Sequence, residues 1–391
     1  MNILMLFLSY GRPKNVFRFK SGGDVHFIET CKRWIKNENK VFILSTEAGN
    51  EFVRFEGINL EGKIIKVQFD DNLCNSSLGS AISYIIRICK ALKYTNWPIS
   101  FDIICAASHF LPDIVLASII SKRSIKSKPI VYLHHLIPHP TKRSQYHSSW
   151  LLNSLAWISQ KLALALIKKY DFYIFTFQHV KKQLIKMGFS EKRIKCIING
   201  VDLKFIHEIR PAKESFEACF VGRISPLKGV FDLVDIWRYV CNVMPDAKLA
   251  IIGHGQKQYV KELTKRTKSM NIENNLRFFG TIEDEEKFAV LKSSKVFVFP
   301  SYEEGWGIAV CEAMACKLPV VAYDLPAYEA FGDAIIKVPV GKKRAFAEAV
   351  LKLLSYDEKR KEYGNKGKNI VVQFDWDNVA GYELSIIKEI I

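Results

Sequence analysis

The chain lacks the usual means of covalent cross-linking. It has 9 cysteines, an odd number, spread from Cys31 to Cys316, and no Cys-x-x-Cys pair. This argues against a disulfide framework and a zinc site, and for a reducing compartment. No apolar run reaches the ~18 residues of a membrane span. The oiliest stretch, 150–167, is broken by Asn153, Ser154, Ser159, Gln160 and Lys161. Met1 to Ser9 has no basic segment before its apolar run and no small-residue cleavage site after it, so it reads as a buried strand rather than a signal peptide. No Asp-x-Asp stands on a strand-end loop, so a metal-dependent diphosphate site is not indicated. There is no tandem short repeat, no zinc finger and no basic motif interleaved with aromatics, so nucleic-acid binding would rest on charge alone.

What is present is ordinary in bulk and uneven in charge. The 391 residues, 49% hydrophobic and 25% charged, suit a soluble globular protein, of two domains, at roughly 150 residues each. Residues 1–200 hold 29 Lys and Arg against 13 Asp and Glu, whereas 201–391 hold 28 against 27. A basic first half fits a membrane surface, an acidic substrate or nucleic acid, and equally a solvated surface with no specific partner.

Taken in order, 2–9 reads as a buried strand. The loop from Tyr10 to Gly23 carries Arg12, Lys14, Arg18 and Lys20 and ends in Gly22-Gly23. A helix is expected from Val25 to Lys36 with Asp24 as N-cap. Strand, two glycines and helix in succession suggest a phosphate-binding turn, although two glycines also make a plain turn. Strands are expected at 40–45, 63–69, 101–106 and 129–133, and helices at 82–94 and 112–121. A long amphipathic helix at 150–169 suits a scaffold packed on the sheet, or one lying on a membrane. A strand at 171–177, a helix at 179–187 and a strand at 193–198 follow. Residues 203–215, polar and containing Pro211, read as a linker.

Alternating strands and helices imply an α/β fold with a doubly wound parallel sheet. In such sheets ligands lie beyond the carboxyl ends of the strands. Gly22, Gly23, His109, His134 and His135 all fall at such ends, which makes them candidates for substrate contact.

A second alternating series begins at Glu217–Val221. It is followed at once by Gly222-Arg-Ile-Ser-Pro-Leu-Lys-Gly229 and a helix to about Val243. Further strands are expected at 248–252, 275–279, 296–299 and 319–323, and helices at 285–293, 308–315, 343–354 and 376–391. The most informative stretch is Pro300-Ser-Tyr-Glu-Glu-Gly-Trp-Gly-Ile-Ala-Val-Cys-Glu-Ala-Met-Ala315, a turn and helix directly after a strand. Free N–H groups at that helix start attract an anion. Glu304 and Glu312 flank the site; carboxylates repel phosphate, so they suit hydroxyl groups. A ligand with phosphate and polyol parts, such as a nucleotide-sugar, satisfies both. Arg223 and Lys228 follow a buried strand across a turn containing Pro226. Both can address a diphosphate there, the guanidinium bidentately and the ammonium as a point charge.

Four segments in combination resemble the retaining nucleotide-sugar glycosyltransferases of family 4. They are Gly222-Arg223 with Lys228-Gly229, Glu304 and Glu312 in Pro-Ser-x-x-Glu-Gly-x-Gly-x-x-x-x-Glu-Ala-Met-Ala, Asn199-Gly200-Val201-Asp202, and Pro319-Val-Val-Ala322. The likeness covers nearly all of the second half. In the first half it rests on Gly22-Gly23 and the general layout. It implies the GT-B fold, two Rossmann-like, doubly wound parallel-sheet domains facing across a cleft. Residues 1–200 would bind the acceptor and 201–375 the donor, with a C-terminal helix at about 376–391 packing back on the first.

The resemblance further implies roles for single residues. Arg223 and Lys228 would bind the donor diphosphate, Glu304 the hydroxyls of the transferred sugar, and Glu312 those of the ribose. The backbone of Gly305, Trp306, Gly307 and Ile308 would cradle phosphate, and Gly22-Gly23 would cover it. Trp306 stands where the family usually has Phe. Relatives often carry a His near the position of His109 that contacts acceptor or sugar. The neighbours of His109 depart from that pattern, so the role stays open among His109, His134 and His135.

The implied reaction moves a hexosyl or related group from a UDP- or GDP-sugar to a glycan or lipid-linked acceptor with retention, with no metal or other cofactor expected. Arg223, Lys228 and the helix end would stabilise charge on the departing diphosphate. A glycosidase pair of carboxylates would leave the cations unexplained. A GT-B-type sugar-nucleotide epimerase or phosphorylase is the alternative. The protein is expected in the cytoplasm, with an anionic membrane surface as a possible partner and nucleic acid as none.

Overall fold

Short runs of branched and aromatic residues make the strands. They are too brief for stable helices, and they are buried nearly throughout, as parallel strands covered on both faces are. The structure is a computed structural model and describes residues 1–9, 20–58, 60, 64–67, 77–124, 126–143 and 150–391. The loop expected from Tyr10 lies outside the described residues as far as 19, as do the ends of the strand expected at 63–69. The chain divides into two compact units, Met1–Ile198 with Asp377–Ile391, and Asn199–Trp376.

The first unit is built from β1 (Asn2–Phe7), α1 (Gly22–Lys36), β2 (Lys40–Thr46), α2 (Glu47–Phe55), β3 (Ile64–Val67), α3 (Ser77–Ala91), β4 (Ile103–Ala106), α4 (Leu111–Arg123), β5 (Lys128–Leu133), α5 (Pro140–Arg143), α6 (Trp150–Lys169), β6 (Tyr173–Thr176), α7 (Gln178–Lys186) and β7 (Ile194–Cys196). Among the described residues its strands form a seven-stranded parallel sheet in the order β3-β2-β1-β4-β5-β6-β7. The order reverses between β1 and β4. Leu4, Leu6, Ile104, Val131 and Ile174 of the strands pack with Leu116, Ala117, Leu164 and Ile167 of α4 and α6 in one core.

The second unit runs α8 (Leu203–Glu208), β8 (Phe216–Val221), α9 (Val230–Val243), β9 (Leu249–Ile252), α10 (Lys257–Ser269), β10 (Leu276–Gly280), α11 (Asp284–Lys292), β11 (Ser294–Phe299), α12 (Ile308–Ala315), β12 (Val320–Tyr323), β13 (Ile336–Val338), α13 (Lys343–Ser355) and α14 (Asp357–Val371). Its sheet has six strands in the order β10-β9-β8-β11-β12-β13, again parallel, with the reversal between β8 and β11. The two ends of this unit meet: Val201 N–H donates to Phe374 O (2.8 Å) and Trp376 N–H to Val201 O (3.3 Å). The last helix, α15 (Trp376–Ile390), packs into the first unit.

Three local expectations are corrected. Asp24 is not the N-cap of α1; Ser21 is, and Asp24 is the third helical residue of a capping box that satisfies both backbone N–H groups,. Gly22 and Gly23 are therefore the first helical residues rather than a separate turn. The 203–215 linker begins with a helix, α8, capped by Asp202 through Phe205 N–H at 2.9 Å. Helices α2, α5, α10 and α14 and strand β13 were not expected from the sequence.

Candidate active site

In the second unit the loops after β8 and β11 leave the sheet at its point of reversal, where a doubly wound sheet opens a crevice. Arg223 stands exposed at the first of them. The loops are pinned together: Tyr302 N–H donates to Leu227 O (2.9 Å), and Ser301 Oγ donates to the same carbonyl (3.3 Å). Gly229 makes this approach possible. Its φ is +67°, and a Cβ there would lie 1.7 Å from Pro300 O. The phenol of Tyr302 donates to Asp232 of α9, which also accepts from Tyr323 Oη (2.7 Å) and is ion-paired with Lys343 (3.0 Å).

Two of the side chains named from the sequence meet at this place. Lys228 Nζ is ion-paired with Glu304, both largely buried. Gly307, with φ +96°, caps α12, so the free N–H groups at the helix start open onto the turn 304–307,. Trp306 is buried edge-on against Phe331 (5.6 Å) and Phe374 (5.4 Å), which anchors that turn. Ile308 is the first helical residue, and Glu312 lies one turn further along. Glu312 is ion-paired at 2.8 Å with Lys287 of α11, which also holds Asp284 at 2.8 Å. Burial opposes the charge on Lys287, but Glu312 and Asp284 outweigh it and hold the ammonium above the ordinary lysine range.

Lys287 was missed by sequence reasoning. Its surroundings, Asp284-Glu-Glu-Lys287, read as the charged start of a surface helix, and only the packing of α11 beside α12 brings it to Glu312. A cavity of about 300 Å³ lies elsewhere in this unit, lined by Lys292, Cys316, Lys317 and Lys368 among others. The C-terminal ends of α11, α12 and α14 meet there, and the lysines answer the negative ends of those helices.

In the first unit the three candidate histidines fall at the carboxyl ends of β4 and β5. His109 is 3% exposed, stacks on Phe110 and meets His135 edge-on at 6.0 Å. Burial, aided by His135 and opposed by a hydrogen bond with Gln160, pushes its imidazole down to about 3. His109 is therefore neutral at physiological pH. His134 sits over the first turn of α1, where a Cβ on Gly23 would lie 3.2 Å from its Cδ2. Burial, then His26, His135 and His109, push its pKa well down, and neither ring nitrogen has a hydrogen-bond partner among the described residues.

Asp113, which the sequence did not single out, organises this edge. It accepts from Leu8 N–H (2.7 Å), Ser9 N–H (3.2 Å), Ser9 Oγ (2.8 Å) and Ser108 Oγ (2.6 Å). Burial raises its pKa to about 6 against the pull of those four bonds.

Each unit is Rossmann-like, a doubly wound parallel sheet with polar loops gathered at its reversal. The sequence-family profile "Glycosyl transferases group 1" matches residues 202–370, and "Glycosyltransferase Family 4" matches residues 20–205. The two matches together span most of the chain, and the chain belongs to the family 4 glycosyltransferases of GT-B fold.

An uncharacterised glycosyltransferase of Methanocaldococcus jannaschii is 25% identical over 303 residues, which is 72% of this chain and 74% of that protein. The phosphatidyl-myo-inositol mannosyltransferase of Mycobacterium leprae is 32% identical over 176 residues, 44% of this chain and 46% of its own. That match spans about half the relative's length. The structure of Anabaena HepE in complex with UDP and glucose aligns with a TM-score of 0.75 at 18% identity over 100% of both chains, a likeness of fold.

Proposed function

We propose that the protein is a retaining glycosyltransferase that moves a hexosyl or related group from a nucleoside-diphosphate sugar to a glycan or lipid-linked acceptor without a metal. The observation that carries this reading is the pair of contacts Lys228–Glu304 and Lys287–Glu312, set on either side of the α12 N-terminus at the second sheet's reversal. An arriving diphosphate competes with Glu304 for Lys228. The displaced carboxylate is then free to accept from a sugar hydroxyl, and Glu312 from the ribose. As the sugar–phosphate bond breaks, Arg223, Lys228 and the helix end meet the charge left on the diphosphate. The UDP and glucose held by HepE favour a nucleoside-diphosphate-sugar donor, which we take to be a UDP- or GDP-sugar.

The first unit is assigned to the acceptor, with His109, His134 and His135 at its edge. The mannosyltransferase relative, named for a phosphatidylinositol acceptor, favours a lipid-linked one. A membrane surface fits the same side of the unit as α6. That helix buries Ala163, Leu164 and Ile167 in the core, which is the scaffold role. It leaves Leu151, Leu155, Ile158 and Leu162 exposed at helical spacing, with Leu151, Ile158 and Leu162 half exposed or more. Lys161, Lys168 and Lys169 are also exposed on it, the pattern of an interfacial helix. Among the described residues no helix is long and apolar enough to cross a membrane. The association proposed here is peripheral, on the cytoplasmic face.

A thermal-shift screen of UDP- and GDP-sugars tests the donor site, since ligand binding raises the melting temperature by mass action. The expected result is a shift with one nucleotide series that is lost in Lys228→Ala and Glu312→Ala. A shift that persists undiminished in both variants would sink the assignment. Transfer is then followed by NMR with EDTA present. Product of retained anomeric configuration is expected, with free nucleoside diphosphate appearing only when acceptor is added. Release without acceptor would favour the epimerase or phosphorylase reading.

A further inference from the structure

The last helix brings a carboxylate into the first unit where an aliphatic side chain would serve the packing as well. Glu383 of α15 is 0% exposed. Its Oε2 accepts from Tyr132 Oη at 2.8 Å, and its Oε1 lies 2.9 Å from His26 Nε2. His26 and Tyr132 are themselves buried. A fully buried carboxylate costs several kcal/mol of desolvation and seldom repays that in stability alone.

The partners of Glu383 stand at the candidate acceptor edge. His26 lies one turn into α1, beyond Gly22 and Gly23. Tyr132 lies two residues before His134 on β5. Its ring is parallel to that of His134, with 5.9 Å between centroids and 6° between planes. His26 lies 5.2 Å from His134 and 4.8 Å from Tyr132. One carboxylate from α15 thus grips both elements between which His134 is held, so close to Gly23 that a Cβ there would lie 3.2 Å from its Cδ2. The other titratable groups around the clamp are the buried thiols of Cys31 and Cys105, with His109 and His135 beyond His134.

We propose that Glu383 is a positioning residue. Through His26 and Tyr132 it registers the first turn of α1 against the end of β5, and so sets the place and ring orientation of His134 at the acceptor edge. The C-terminal helix is then a part of the acceptor site's geometry rather than a strap alone. This rests on the reading of the first unit as the acceptor domain.

The test is Glu383→Gln, which keeps the volume and an acceptor for Tyr132 but removes the charge beside His26. In protein labelled with ¹⁵N-histidine, the ring resonances of both His26 and His134 are expected to move, while UDP affinity, measured by calorimetry, stays within twofold of wild type. With UDP-glucose as donor and octyl glucoside as acceptor probe, transfer is expected to fall on the order of 10–100-fold, the scale of a displaced contact group. Unmoved His134 resonances would overturn the proposal. Should wild type make no product with these probes, the transfer reading fails at that point, while the His134 resonances still decide the positioning role. If Glu383→Gln does not fold, Tyr132→Phe removes one hydroxyl of the same clamp and carries the same comparison.

Discussion

Lys228 and Glu304 are worth most as a pair, and their separate removal distinguishes stability from catalysis. Lys228→Ala leaves a largely buried carboxylate without its partner, which is expected to cost about 1–3 kcal/mol of stability. Turnover is expected to fall about 10²–10³-fold, the cost of losing one preorganised group at a developing charge. In Lys228→Ala/Glu304→Gln the stability should largely return while turnover stays low. Urea denaturation alongside initial rates separates the two, and a double variant as unstable as the single one contradicts the pairing.

His109 makes a prediction of opposite character. The unfolded chain takes up a proton at about 6.5, whereas the folded chain refuses it until about 3. Unfolding is therefore promoted as pH falls through that window. His109→Gln is expected to be more acid-tolerant than wild type, by about 2 kcal/mol at pH 5. Denaturation curves at pH 5 and pH 7.5 read this directly. His134, shifted the same way, leaves some acid sensitivity in the variant.

Among elements, α12 carries the proposed donor site, and its first turn depends on a backbone that side chains rarely adopt. At Gly307 the φ is +96°, and a Cβ would lie 2.9 Å from Tyr328 Cε1. Gly307→Ala is expected to cost about 1–3 kcal/mol and to turn the N–H groups of α12 away from the ligand, weakening UDP binding. Calorimetry with UDP checks it. Full affinity in Gly307→Ala would remove the helix end from the site. The neighbouring support is a polar network: Asp232 holds Tyr302 and Tyr323, and Lys343 ties Asp232 to Asp235 at 2.6 Å. The turn is thus fixed from α9 and α13 as well as from its own glycines.

For the whole molecule the deciding quantity is the uneven charge, a net of +16 in residues 1–200 against +1 in the rest. Each Lys or Arg near an anionic bilayer adds roughly 1 kcal/mol of attraction, screened beyond a Debye length. Binding to phosphatidylglycerol vesicles is expected to be measurable at low salt and to fall steeply as salt rises. Leu155→Ser/Ile158→Ser/Leu162→Ser on α6 should weaken it at every salt concentration, since those side chains are already outside the core. Co-sedimentation that is absent at low salt, or indifferent to the triple substitution, removes the membrane from the proposal.

The sequence by itself determined the alternating architecture, because parallel strands buried on both faces leave unbroken apolar runs that few other folds contain. It also determined the donor-site candidates, since Arg223, Lys228, Glu304 and Glu312 belong to strand-end segments whose composition reflects local chemistry. It gave no sign of α14, whose Gly364 and Gly367 are poor helix formers,. Only the packed structure shows why they are there: a Cβ on Gly364 would lie 2.2 Å from Lys317 O, and one on Gly367 2.9 Å from Met314.

The tertiary structure alone decided the long-range partners of the charged groups. Lys287 reaches Glu312 across 25 positions, and Glu383 reaches Tyr132 across 251. Such pairings leave no periodic or local trace in the chain. They depend on which helix is laid beside which strand, and that is set by the burial of apolar faces rather than by the charges themselves.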